Sequence, residues 1–275
     1  MRKSRPSDFV YQVAALLISV IVVHSFYVTV VRPRAEVDLA VQTARMQEDP
    51  DAVPERSVWV IIRDFEQEAC FVLMLWAMAM MAVKWTATTR ESRLLDSDLI
   101  PIAEGVRILP EDAREYTRQI QSLPPRQRSA LLPRALESAL RRFGATGSIQ
   151  AASETAHGAC DSEAERLDSE LAMVRYIAWA IPSIGFIGTV RGIGDALGLA
   201  HKAVSGEISG VTRSLGVAFN STFIALLISI VLMFLLHQLQ LQQERLVLDT
   251  SSYIDDRLVQ HLQVAAPTTV ERTGS

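Results

Sequence analysis

Two stretches of the chain, residues 9–31 and 215–236, run for the length of a membrane span without a single Asp, Glu, Lys or Arg. A hydrocarbon core of roughly 30 Å takes about 20 apolar residues as a helix. Such runs place the chain in a bilayer and leave little room for one large soluble core. Two further runs are shorter. Residues 69–83 (ACFVLMLWAMAMMAV) reach spanning length with one more turn at each end, because Lys84 can snorkel and Trp85 suits the interface. Residues 176–190 continue through GIGDALGL, apolar except for Asp195. Arg191 stands four residues before Asp195 on the same helix face, a spacing at which the two charges pair.

The resulting expectation is an all-α polytopic membrane protein with four transmembrane helices, two of them extending into the cytoplasm as long helices. Its segments are a cytoplasmic tail 1–8, spans 9–31, 67–86, 172–199 and 214–237, and outer connections 32–66 and 200–213. A cytoplasmic helical segment 87–171, a cytoplasmic helix 238–264 and a disordered tail 265–275 complete it. Arg2, Lys3 and Arg5 precede the first run as in a signal peptide. Its apolar core is too long for one, however, and no small-residue cleavage site precedes Arg32.

Basic residues near span ends mark the cytoplasmic side. They occur in the N-terminal tail and again at Lys84, Arg90 and Arg93, whereas the first loop carries Glu48, Asp49, Asp51, Glu55, Asp64, Glu66 and Glu68. Arg32 and Arg34 point the other way and are outnumbered. Both termini are therefore expected on the cytoplasmic side.

Between and beyond the spans the pattern is helical. SALLPRALESALRRFG reads as a helix ending at Gly144, and residues 147–158, small and polar, read as a loose turn. From Ser162, EAERLDSELAMVRYIAW runs unbroken toward the third span. Leu239, Leu246 and Tyr253 recur every seven residues, followed by Ile254, Leu258 and Leu262, which continues the fourth span as an amphipathic helix.

Several function classes lack their residues. A net charge of −4 offers no basic footprint for nucleic acid. Cys70 and Cys160 make no disulfide framework. No P-loop is present, GIGDALG has the wrong spacing for a dinucleotide fingerprint, and the five histidines show no metal-ligand spacing. The chain is read as a non-enzyme with no catalytic residues, cofactor or metal site. His24, inside the first span, reads as a hydrogen-bonded packing residue in preference to a functional one.

The third and fourth spans carry the candidate chemistry. Gly188, Gly192 and Ala196 fall four apart as a smooth packing stripe, widened by Gly185, Gly194 and Gly198, and Pro182 frees a backbone carbonyl. Counting from the helix ends at 1.5 Å per residue puts Thr189 and Thr222 at one depth, roughly 14–16 Å below the outer surface. Asn220 and Ser221 are their polar neighbours. Plain helix packing and back-bonding to the i−4 carbonyl would also account for these residues.

IPSIGFIGTVRGIGDAL and GVAFNSTFIALLISI, in that order, resemble the second and third spans of ExbB and TolQ. Ala218, Thr222 and Leu226 match the Ala, Thr and Leu of the latter. The likeness to the MotA/TolQ/ExbB proton channel family covers about residues 172–240, and a layout of four spans is like MotA. The resemblance implies a homopentamer around a dimer of a single-span partner of the ExbD/TolR/MotB kind, in a bacterial inner membrane. The partner would carry a membrane Asp that takes protons, and Thr189 and Thr222 would line the path. Consistently, the fourth span contains no carboxylate of its own. Departures are Val217 where the family often has Glu, Ala225 where it has Gly, and Arg191 at a commonly aromatic position. A flagellar stator subunit and a non-conducting membrane scaffold remain as alternatives at this point.

Overall fold

The computed structural model describes residues 6–48, 57–97, 99 and 107–264. The expected disordered tail 265–275, the N-terminal basic residues Arg2, Lys3 and Arg5, and Asp49, Asp51 and Glu55 lie outside the described residues. The helices are α1 (Pro6–Phe26), α2 (Arg32–Glu48), α3 (Val58–Ile61), α4 (Phe65–Leu95), α5 (Ala113–Gln121) and α6 (Pro125–Arg128). They continue as α7 (Leu131–Thr146), α8 (Ile149–Glu170), α9 (Ala172–Gly198), α10 (Ala200–Val204) and α11 (Ser209–Arg257). Extended pairing among the described residues is one isolated parallel bridge, Ile108 to Leu262. The protein is all-α. Among the described residues, four helical stretches are long and apolar enough to cross a membrane: Phe9–Arg45, Phe65–Leu95, Ile149–Gly198 and Ser209–His261.

The chain divides into two compact units. The first comprises Met1–Val83 and Ala172–Gln238, and the second Lys84–Leu171 and Leu239–Ser275. Helix α11, at 49 residues, is about 70 Å long at 1.5 Å per residue, more than twice a hydrocarbon core. It contributes residues to both units.

In the first unit the apolar run of residues 9–31 ends at Arg32, but the helix does not. It passes through a π-turn, Tyr27–Val31, into α2, so much of the first connection is helical. Pro33 follows that turn and brings no N–H for the preceding carbonyls, which the widened i→i+5 turn accommodates. Tyr27 and Val31 are buried against Phe71, Val72 and Leu75 of α4. Phe9, Leu17, Ile18, Ile21 and Val22 remain exposed on α1, the arrangement of a helix whose surroundings are apolar.

The second unit is built on α7 and α8, joined by a tight turn. Gly147 is left-handed at φ 63°, a conformation open to glycine, and Ser148 caps α8 by accepting from Ala151 N–H at 3.2 Å. This corrects two sequence expectations. The helix expected to end at Gly144 runs to Thr146, and residues 149–158 are helix, not loose turn. Composition misled here because small residues are what the interface needs: Ala152, Ala156 and Cys160 are buried beside Leu136, Leu140 and Phe143. Likewise, the helix from Ser162 is interrupted at Leu171, whose N–H bonds to Asp168 in a tightened last turn before α9 begins.

Helix α7 has Ala130 at its N-cap, whose methyl side chain offers no hydrogen-bond acceptor. Glu91 of α4 supplies the acceptor instead, 3.1 Å from Leu131 N–H. Pro133 sits in that first turn, where a missing N–H is harmless. Buried Glu163 is held by Arg134 at 2.8 Å and by Arg166. Burial alone would raise its carboxyl pKa, but the two guanidiniums outweigh burial and hold it below the usual carboxylate range. Leu239, Leu246, Ile254, Leu258 and Leu262 are all buried, following the seven- and four-residue spacings of the sequence.

Candidate functional site

The glycine stripe of α9 faces α11 at very short range. A Cβ placed on Gly185 would stand 2.5 Å from Ala225 Cβ, one on Gly188 would stand 2.5 Å from Ser221 Cβ, and one on Gly192 would stand 2.8 Å from Ala218 Cβ. No real Cβ tolerates such contacts, so these three positions demand glycine. Ala196 continues the buried face. Gly194 and Gly198 do not widen it, since a Cβ on either would meet nothing within 4 Å. The reason is rotational: two residues along a helix turn a side chain by about 200°, onto the opposite face.

Close approach brings the two threonines together. The Thr189 and Thr222 side chains hydrogen-bond to each other across the α9–α11 seam. Thr189 Oγ1 also lies 3.1 Å from the Ala218 carbonyl of α11 and 3.3 Å from its own Gly185 carbonyl. Thr222 Oγ1 donates to the Gly185 carbonyl of α9 at 3.1 Å. Each hydroxyl therefore serves the opposing helix, beyond simple back-bonding. Two hydroxyl protons are shared among two carbonyls and two hydroxyl oxygens, so the pair has alternative donor arrangements reached by rotation alone.

Two turns deeper, Pro182 lacks the N–H that would bond the Ala178 carbonyl, and Ser229 Oγ of α11 donates to that carbonyl at 3.2 Å. Proline and serine together thus tie the helices below the threonines. On the other side, charges begin within two residues of Thr189, about 3 Å of helix rise. Arg191 forms a two-pronged pair with Glu66 of α4, Nε at 2.7 Å and Nη2 at 2.8 Å. Asp195, the partner expected from spacing, lies farther away at 3.8 Å. Planar carboxylate–guanidinium pairing explains the preference for Glu66.

Between these layers, Gln67 of α4 donates to Ser221 Oγ at 3.4 Å and to the Ile61 carbonyl at 3.1 Å. Ser221 in turn donates to Val217 O at 2.9 Å. Asn220 is half-buried and outside this hydrogen-bonded set. His24 is hydrogen-bonded, its Nδ1 2.7 Å from Glu68 Oε1, while Arg32 donates to Glu68 Oε2 at 2.7 Å. Sequence reasoning missed Glu66, Gln67, Glu68 and Ser229. The acidic pair was visible only as loop charge, and its position in the first turn of α4 is the one signal that pointed to a structured role.

Residues 127–252 match the model of the MotA/TolQ/ExbB proton channel family, a region that takes in α7 and α8 as well as the two motif-bearing helices. No curated protein and no solved structure matches the chain.

Proposed function

Because residues 127–252 match the model of the MotA/TolQ/ExbB proton channel family, we propose that this chain is the ion-conducting subunit of a motor driven by proton-motive force. The observation that carries the reading is the Thr189–Thr222 pair, hydroxyl to hydroxyl across two helices whose glycines admit no side chain between them. Hydroxyls relay a proton or hold water without trapping a charge. The stretch 214–237 contains no Asp, Glu, Lys or Arg, so the titrating group of the path comes from another chain. That chain is a single-span protein with an Asp inside its span, present as a dimer within a ring of five copies of this subunit. Spans 9–31, 67–86, 172–199 and 214–237 then lie in the inner membrane with both termini cytoplasmic, and residues 87–171 and 238–264 form a helical skirt on that side.

Two measurements test this. Native mass spectrometry of the gently extracted complex should give five copies of this chain with two of a single-span protein. A stable monomer, or a ring of another size, refutes the assembly. Gly158 is exposed with open space beside it, so Gly158→Cys should react with an impermeant thiol reagent only from the cytoplasmic face. Reaction from the outer face refutes the orientation.

A further inference from the structure

Gln67 is wholly buried at the place where α4, α9 and α11 converge. The convergence is tight: a Cβ on Gly188 of α9 would touch Ser221 Oγ of α11 at 2.6 Å and Glu66 Cγ of α4 at 3.1 Å. The orientation of the Gln67 amide is determined by its neighbours. Ile61 O is an acceptor only, so the amide nitrogen must face it, and a flipped amide would set two acceptors against each other. Oε1 is thereby turned away, and it meets no donor among the described residues. Ser221 cannot serve it, because the single hydroxyl proton already goes to Val217 O.

An enclosed amide oxygen without a donor costs about 1–3 kcal/mol. Buried polar groups in this position are ordinarily satisfied by water, which needs a polar site with two or more partners. Gln67 Oε1 offers one acceptor, and the Ser221 oxygen, with a lone pair left, offers a second. A metal cation is a poorer occupant, because the adjacent Glu66 carboxylate is already taken by Arg191.

We propose that Gln67 and Ser221 hold a water molecule at the junction of α4, α9 and α11, and that this water is the outer neighbour of the Thr189–Thr222 pair along the ion path. Gln67 is a positioning residue in this scheme: it fixes the water and, through Ser221, the turn of α11 that carries Thr222. The water's part in the path rests on the channel reading, whereas the water site does not.

The test uses the full chain in lipid vesicles with Ser221→Cys, treated with methyl methanethiosulfonate and followed by peptide mass spectrometry. Cys70, three residues beyond Gln67 in the same helix, is the internal reference, being wholly buried with its thiol toward the Ile181 carbonyl. Only the thiolate reacts, and each pKa unit added by burial lowers its concentration about tenfold. The cysteine at 221, beside a bound water, should react at least about tenfold faster than Cys70. Adding Gln67→Leu should bring its rate down to that of Cys70. A rate equal to Cys70 from the start, or one indifferent to Gln67→Leu, overturns the water site. If Ser221→Cys does not fold, transfer of proton magnetisation from water to the Gln67 side-chain amide is read by NMR on the unmutated chain labelled at glutamine nitrogen, and no water cross-peak at that amide is the overturning result. Proton flux through vesicles carrying Gln67→Leu with the partner then tests the placement. Reduced flux supports it, and normal flux alongside fast labelling at 221 removes the water from the path. Should Thr189→Val and Thr222→Val leave flux unchanged, the channel reading fails while the labelling rates still decide the water site.

Discussion

Gly192→Ala isolates the packing on which the threonine contact depends. The added Cβ would lie 2.8 Å from Ala218 Cβ, Ala218 N and Ser214 O. Two of those three atoms are backbone, so no rotamer change in α11 relieves the clash. Non-bonded carbons settle at about 3.5–4.0 Å, and the helices must therefore part by about 1 Å. Overpacking of this kind costs about 1–3 kcal/mol. The gain in helix propensity from Gly to Ala, about 0.5–1 kcal/mol, offsets part of it. A net loss of roughly 0.5–2 kcal/mol lowers Tm by about 2–6 °C in a chain of this size. The parting also lengthens and weakens the Thr189–Thr222 contact. Gly194→Ala is the matched control, with the same helix and chemistry but nothing within 4 Å. It should leave Tm unchanged or raise it slightly. Thermal melts of both variants in detergent, followed by circular dichroism at the helix band, make the comparison. If Gly192→Ala melts with Gly194→Ala, the close approach is not what holds α9 to α11.

Other consequences follow from single contacts. Ser229→Ala should cost about 0.5–1.5 kcal/mol by stranding the Ala178 carbonyl. That cost should shrink when Pro182→Ala restores an N–H to the carbonyl, and equal costs in the two backgrounds, read from a double-mutant cycle of melts, would refute the link between proline and serine. His157 donates to the Ser153 carbonyl through Nδ1 and faces Asp255 through Nε2, and these contacts raise its pKa above the ordinary 6.5. Because the folded pKa is the higher one, the stabilisation is complete below about 6.5 and is lost as pH rises through the raised folded value. The pair is partly exposed, so the effect is small, about 0.2–1 kcal/mol. Wild type should lose more Tm than His157→Gln between pH 6 and 8.5, and parallel losses would contradict it.

The spans were legible because length without charge is a one-dimensional property that a bilayer reads directly. So was the meeting of Thr189 and Thr222, since counting rise from the ends of two antiparallel helices needs no knowledge of side-chain neighbours. Facing is harder to read than depth. Gly194 and Gly198 share the composition of the stripe but stand on another side of α9, and only Gly185, Gly188 and Gly192 touch α11. Long-range partners left no local trace. Glu66 reaches Arg191 across 125 residues and Gln67 reaches Ser221 across 154, and nothing in either spacing announces the pair. Residues 149–158 were misread for a related reason, because small side chains signal a loop when solvated and an interface when packed, as Ala152 and Ala156 are.

Proton flux in vesicles holding the subunit with the proposed partner reports whether the paired hydroxyls lie in the ion path. Valine keeps the β-branched shape of threonine and removes only the hydroxyl. With assembly confirmed by co-purification, Thr189→Val and Thr222→Val should each lower flux about fivefold, the effect of a hydrogen-bonding step worth about 1 kcal/mol. The double change should fall short of the product, because both groups serve one path. Wild-type flux in both single variants, with assembly intact, would contradict the assignment.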